Sequence, residues 1–405
     1  MIVNISENAS LFIPDKYENA VNDFVSKNKN LPLQKEGKNL TFGRYIVGSL
    51  KIDDLVININ PRINNLTINH YFEMQLYNEG LLDEKVLSLL DENKGFGVQE
   101  SLIALFLNTV LDLVTAGVEG EFTKNREETS LVHGKILAHE ITPLNLFQDK
   151  LPIEYEVHGV NTTANKIIKL ALDKVKIIEG NSSRSKLPSI INPYFEQVDA
   201  DSSNLQIMWE ELKFKHSFVN VYYSKALGLA KKILDDLKIN FRKHETTSSS
   251  YLVNSNSIFE NYARKVLKDG LRADVTKWNK PKKIGQFTLD GETIEKSYQP
   301  DVLIEYNNDL NVSLAVIDVK NKDISSLSDI GSLSDLYQII FYSSSLDASY
   351  GGLIYPAYKK IMPTKVSIDS LREVNLFVFG IDFSVEIHRR NKQLIKDIRE
   401  TFNVF

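Results

Sequence analysis

No cysteine occurs in the chain, which excludes disulfides and thiolate metal sites and fits a reducing, cytoplasmic setting. Long apolar runs are missing too. The longest, residues 101–118, is broken by Asn108 and Asp112 and is expected to be too polar and too short to span a bilayer, so no membrane partner is expected. The opening MIVNISENAS lacks the basic and then apolar segments of a secretory signal. Positive charge is not in excess: 48 Lys and Arg face 53 Asp and Glu, a net charge of −5. Any nucleic-acid binding must therefore rest on a local patch or a partner. The seven histidines show no H-E-x-x-H spacing, and neither G-x-S-x-G nor G-x-G-x-x-G occurs. There is no G-x-x-x-x-G-K-[ST] either, so no nucleoside triphosphate is expected in a P-loop.

What is present is material for folding. The 405 residues, 42% hydrophobic and 25% charged, suit two or three domains of a mixed α+β or α/β chain. Residues 1–90 read as β-rich. Short β-branched runs at 41–47, 50–52 and 55–59 are separated by the turn residues Gly48 and Asp53-Asp54. Residues 91–245 read as mainly helical, with apolar side chains at helical spacing from Leu102 to Val114, over 165–176 and over 222–237. The stretch HETTSSS breaks the periodicity, and 246–405 reads as a compact α/β domain with helices at 257–268 and 333–346.

The chemistry gathers in that last part. Pro300-Asp301 opens a plausible strand, Asn307-Asn308-Asp309 is turn sequence, and Leu310 to Asp318 is a second strand. A hairpin centred between Asp309 and Leu310 sets Asp301 opposite Asp318, and the two-residue strand period puts Lys320 on the face of Asp318. Two such carboxylates can hold Mg²⁺, which takes few protein carboxylates alongside waters and phosphate. The metal would activate water, and the lysine would stabilise developing charge. An acid-x-base triplet alone is cheap, since about six are expected by chance in this composition. The Pro-Asp and the flanking β pattern set the triplet at 318 apart.

Further residues join it. Phe259, Tyr262, Ala263, Val266 and Leu267 form one helical stripe with Glu260 beside it. Glu260 is either a third acid for the metal or part of a capping box begun by Ser257. In the later helix Tyr337, Ile340 and Phe341 are expected to be buried, while Asp335, Gln338 and Tyr342 align along an edge; the last two could bond phosphate or water. Residues 259–283 hold eight bases against three acids. Arg264, Lys265, Lys268, Lys280, Lys282 and Lys283 are the candidate DNA contacts, with a merely solvated face as the alternative.

The ordered segments FENYARKVL, QPDVLI, AVIDVKNK, DLYQIIFYSSSL and GGLIYP resemble the McrC family, the nuclease subunits of McrBC-type restriction systems. GRYIVGSLKIDDLVININPRI, VHGKI, NKIIKLAL and YYSKALGLAKKIL extend the resemblance upstream from about residue 40. It implies a PD-(D/E)xK, restriction-endonuclease-like fold for the C-terminal domain. It further implies a Mg²⁺-dependent DNA endonuclease for phage defence, with Asp301, Asp318 and Lys320 as the triad, Glu260 as the helix acid and Gln338 with Tyr342 as a Q-x-x-x-Y element. By the same resemblance, residues 1–90 would dock on a McrB-like AAA+ GTPase hexamer and stimulate its GTP hydrolysis, with residues 47–62 as part of an element inserted into its pore. A self-sufficient PD-(D/E)xK nuclease of repair or resolvase type, and a non-catalytic architectural subunit, are the alternatives.

Overall fold

The computed structural model describes the chain except for residues 30–31, 93–96, 180–185, 216–220, 236, 243–244, 272, 278–280, 290–291, 309–310, 325–331, 367–374 and 404–405. The chain forms two compact units: Met1–Leu82 joins Ser250–Phe405 in one, and Asp83–Ser249 is the other.

The first unit begins with β1 (Ile2–Ser6), β2 (Ser10–Phe12), α1 (Asp15–Lys27), β3 (Leu33–Glu36), β4 (Asn39–Phe42), β5 (Ile46–Ile52), β6 (Leu55–Asn60) and α2 (Ile68–Asn78). Asp53, in left-handed backbone at φ 51°, makes the β5–β6 turn. β1 pairs parallel to β6 on its other edge. Tyr17, Val21 and Phe24 recur at helical spacing on α1 and are buried with Leu50, Ile57 and Ile59.

The second unit holds α3 (Glu84–Glu92), α4 (Val98–Ala116), β7 (Glu121–Thr129), β8 (Lys135–Ile136), α5 (Pro143–Phe147), β9 (Leu151–Gly159), α6 (Thr163–Glu179), α7 (Leu187–Ile191), α8 (Leu205–Lys215), α9 (Val221–Asp235) and β10 (Lys238–Arg242). The region expected to be mainly helical therefore also carries a three-stranded sheet, in the order β7-β9-β8. β7 is polar and exposed and shows no apolar alternation, whereas β9 carries Leu151, Ile153, Tyr155 and Val157 at the two-residue period, a strand signal the helical reading passed over. By length and composition α4, at 19 residues, could cross a membrane, contrary to the expectation that its sequence is too short. Its Leu102, Leu105, Phe106, Val110 and Leu113 are instead buried, as in a core helix.

The chain re-enters the first unit through the end of β11 (Glu245–Asn254), which lies beside β5. Gly48 sits inside β5 rather than in a turn. Its φ is +140°, and a Cβ there would come within 1.9 Å of the Tyr251 carbonyl oxygen. Then follow α10 (Ser255–Gly270), β12 (Asp274–Thr276), β13 (Lys282–Leu289), β14 (Glu292–Tyr298), β15 (Val302–Asn308), β16 (Asn311–Val319), α11 (Leu333–Ser345), β17 (Tyr350–Ala357), β18 (Thr364–Val366), β19 (Asn375–Asp382) and α12 (Ile387–Phe402). Six strands form a mixed sheet in the order β12-β15-β16-β17-β19-β18. β16, β17 and β19 run parallel, and β15 is antiparallel to β16.

Adjacent glycines of β17 show what covers the two faces, since successive residues point oppositely. A Cβ on Gly351 would meet Ser343 and Ile339 of α11, and one on Gly352 would meet Phe402 of α12. The buried residues of α11 are Asp335, Ile339, Tyr342 and Ser343. Tyr337 and Phe341, expected inside, are 67% and 38% exposed. The seat on Gly351 sets Ser343 and Ile339 against the sheet, with Tyr342 buried beside them and Tyr337 and Phe341 turned outward.

The three successive blocks expected from sequence are thus corrected to two units. The β-rich start is not separate from the C-terminal α/β part, because strand pairing between distant segments joins them.

Candidate functional site

The β15–β16 register pairs Val302 with Ile317 and Asn308 with Asn311, which sets Asp301 opposite Asp318 as the turn spacing requires. β16 ends there, and the Lys320 amide still bonds the Ile354 carbonyl of β17 at 2.9 Å. Lys320 Nζ lies 2.5 Å from Asp318 Oδ2 and donates to Gln338 Oε1 at 2.7 Å. Gln338 Nε2 in turn donates to the Tyr342 hydroxyl at 2.7 Å. The Val319 amide donates to Asp301 Oδ2 at 2.8 Å, which fixes that carboxylate. These groups floor a polar cleft of about 210 Å³, whose lining also includes Glu260, Asn256, Tyr45 and Arg62.

The electrostatics are those of a crowded acid site. Asp318 is 2% exposed. Burial, and then the like charge of Asp301, raise its carboxyl to about 7 against the pull of Lys320. Burial and Asp301 also raise Glu260. For Lys320 burial acts downward, but the carboxylates of Asp318, Asp335 and Asp301 together hold it above its ordinary value. Asn254 caps α10, its side chain accepting from the Ser257 amide at 2.9 Å, so Glu260 has no capping role; Asn256 Nδ2 donates to it instead. Among the described residues no three acidic or histidine side chains group closely enough to hold an ion alone. The structure therefore supplies the pair Asp301 and Asp318, with Glu260 in the same lining and close enough to feel the Asp301 charge.

The described basic residues differ in what holds them. Arg264 is half-buried and donates to the Asp301 carbonyl at 2.9 Å. Lys265 pairs with Asp269 at 3.2 Å, Lys268 is exposed, and Lys283 pairs with Glu295 across the β13–β14 ribbon. Lys280 lies outside the described residues, as does the side chain of Lys282. Residues 47–62, expected to help form an inserted element, fall largely on β5 and β6, where Val47, Leu50, Ile52, Leu55, Ile57 and Ile59 are buried. Their alternation packs a core, so that expectation is corrected.

Sequence reading missed Tyr45, Arg62, Asn256 and Asn321. Arg62 and Asn321 lay in segments already noted, NPRI and DVKNK, but nothing local marks them as neighbours.

A family model described as "McrBC 5-methylcytosine restriction system component" matches residues 42–356. No curated protein matches. A solved structure described as "Refined half-complex from tetradecameric assembly of Thermococcus gammatolerans McrB AAA+ hexamers with bound McrC" is similar at 16% identity and a TM-score of 0.71, covering 99% of this chain and 100% of that one. A "Cryo-EM structure of the Thermococcus gammatolerans McrBC complex" is similar at 16% identity and a TM-score of 0.46, covering 67% of this chain and 88% of that one.

These matches correct what was drawn from the resemblance. The family model carries the system and no subunit, and the first structure is described by its McrB AAA+ hexamers. The narrower McrC assignment is withdrawn, and with it the role of a nuclease subunit that stimulates a partner's GTP hydrolysis. The fold follows a chain of that assembly over its whole length. This replaces the expectation of a PD-(D/E)xK domain appended to two others.

Proposed function

This chain belongs to the family of McrBC 5-methylcytosine restriction system components, and we propose that Asp301, Asp318 and Lys320 form a Mg²⁺-dependent hydrolytic centre for phosphodiester bonds of DNA. The observation that carries this reading is the mutually repelling carboxylate pair, Asp318 buried and Asp301 half-buried, with an ammonium held 2.5 Å from Asp318, at the floor of a polar cleft.

The donor set fits the ion. Mg²⁺ takes oxygen ligands, keeps several waters and needs only one or two carboxylates, and a cation would offset both the burial and the Asp301 repulsion that raise Asp318. Asp301 and Asp318 would hold it, and Glu260, in the same lining, would add negative charge. When bound, the ion supplies a more acidic water and neutralises charge on phosphoryl oxygens.

The protein's own groups do the rest. The Val319 amide keeps Asp301 in one orientation. Gln338, itself bonded to Tyr342, holds Lys320 Nζ where negative charge develops, so little reorganisation is needed during reaction. Arg264 braces the Asp301 backbone.

The setting is a complex with other components of the system. The chain has no P-loop sequence, so the purified protein is expected to hydrolyse neither GTP nor ATP. GTP turnover by it alone would mark it as the motor component. The direct test is cleavage of methylated and unmethylated DNA by the assembled system under Mg²⁺ titration. Wild-type rates from both Asp301→Ala and Asp318→Ala would overturn the proposal.

A further inference from the structure

We propose that Arg62, carried by the N-terminal part of the chain, binds a substrate phosphate at this cleft, so that residues 1–82 supply part of the substrate contact. The inference rests on the hydrolytic reading above.

The lining cations differ in what holds them. Lys320 is neutralised by Asp318, and Lys322 by Asp335 at 2.6 Å. Arg62 instead donates from Nη2 to the backbone carbonyl of Asn321 at 2.7 Å, and its guanidinium lies 5.1 Å from the centre of the Tyr45 ring. A carbonyl and an aromatic face orient the guanidinium; the carboxylate of the buried Glu7, bonded by the Arg62 backbone, also feels its charge and offsets part of it. The planar fork keeps further N–H donors in fixed directions, the geometry that suits a phosphate.

Arg62 is also rigid relative to the reacting groups. Asn64 Nδ2 donates to Asp323 at 2.8 Å, so the segment after β6 is tied to the segment after β16 at two points. At the first of those points Asn321 is 2% exposed. Its side chain accepts from the Tyr71 hydroxyl at 2.9 Å and donates to Ser255 Oγ at 3.1 Å. Asn321 directly follows Lys320, so Arg62 and Lys320 are set on one braced segment. The cleft already carries Asp301, Asp318 and Glu260. A fixed guanidinium, only partly offset by Glu7, counters the repulsion that a phosphodiester would meet there.

The test uses the full-length chain in its assembled system and a labelled DNA duplex. In a cleavage-dead Asp318→Asn background, Arg62→Gln keeps a donor for the Asn321 carbonyl but removes the charge. It is expected to weaken DNA binding by about tenfold and to lower the slope of log affinity against log salt by about one. In the active background KM should rise, with kcat changed by less than about threefold. Wild-type slope and KM in Arg62→Gln would overturn the proposal. Should the wild type bind but not cut DNA in Mg²⁺ while Arg62→Gln still lowers the slope, the hydrolytic reading falls and the phosphate contact stands. Thermal melting confirms that the variant is folded, and Arg62→Ala is expected to repeat the slope change.

Discussion

Two lysine–aspartate pairs sit beside each other past the end of β16, and they have opposite characters. Lys320 pairs with Asp318, and Lys322 pairs with Asp335, at 2.5 and 2.6 Å, with aspartate side chains only 3% and 4% exposed. Asp335 also accepts from the Tyr355 hydroxyl at 3.0 Å. Burial acts to raise its pKa, but the bonds from Lys322, Ser332 and Tyr355 win and hold it below the ordinary carboxylate value. Asp318 faces a second carboxylate, and its pKa is raised. An ion pair surrounded by donors is a structural joint. One that shares its space with a like charge is kept at a cost to stability, which an unbound cation can repay.

The sharpest way to break this contrast is to remove each acid. Asp318→Ala is expected to abolish cleavage while leaving the metal-free melting temperature unchanged or higher, because mutual repulsion goes with it. Asp335→Ala is expected to cost about 1–3 kcal/mol in denaturant unfolding, because it removes the buried acceptor of the Tyr355 bond and the counter-charge of Lys322. Equal destabilisation by both would end the distinction.

Lys320→Ala follows in size. Single-turnover cleavage should fall by roughly 10²–10³ with Mg²⁺ affinity retained, as expected when one preorganised charge contact is lost. Lys320→Arg should not restore it, since a planar fork cannot replace a point charge. Near-normal cleavage by Lys320→Ala would return the triplet to the chance background.

The pH dependence of stability separates the aspartates by sign. Asp318 rises from 3.8 to about 7 in the fold, so its contribution is present below its unfolded value and is lost as pH rises through about 7. Asp335 is lowered, so its contribution is present above 3.8 and is lost on acidification. Metal-free unfolding across pH 3–8 should show Asp318→Asn removing the loss on the neutral side and Asp335→Asn removing a loss on the acid side. Added Mg²⁺ should flatten the neutral-side loss in the wild type only. The smallest effect is expected from Tyr342→Phe. It deletes one hydrogen bond behind Gln338 and should slow cleavage by less than about tenfold, near 1 kcal/mol.

What the sequence made legible was local. The Asp301–Asp318 register follows from a short turn and a two-residue period, and the buried stripe of α10 follows from helical spacing. Rotation of α11 was not legible, because it depends on Gly351 in a strand that follows the helix. The role of Gly48 depends on Tyr251, about 200 residues away. Arg62 bonds Asn321 across 259 positions, and neither residue carries a local pattern that points to the other. The catalytic floor could be read along the chain, but its N-terminal wall could not.

The interruption of the first unit also has a consequence in time. The 167 residues of Asp83–Ser249 are made between its two parts. With residues 53–82 included, about 200 residues separate β5 from the part of β11 it pairs with, so at about 5–20 residues per second of synthesis β5 waits roughly 10–40 seconds. Throughout that interval the side of β5 that β11 later covers, where Gly48 presents bare backbone, is an open strand edge on a nascent chain. Ribosome-bound chains ending between residues 90 and 240 are therefore expected to recruit chaperones, and release from them should begin only after Tyr251 has emerged.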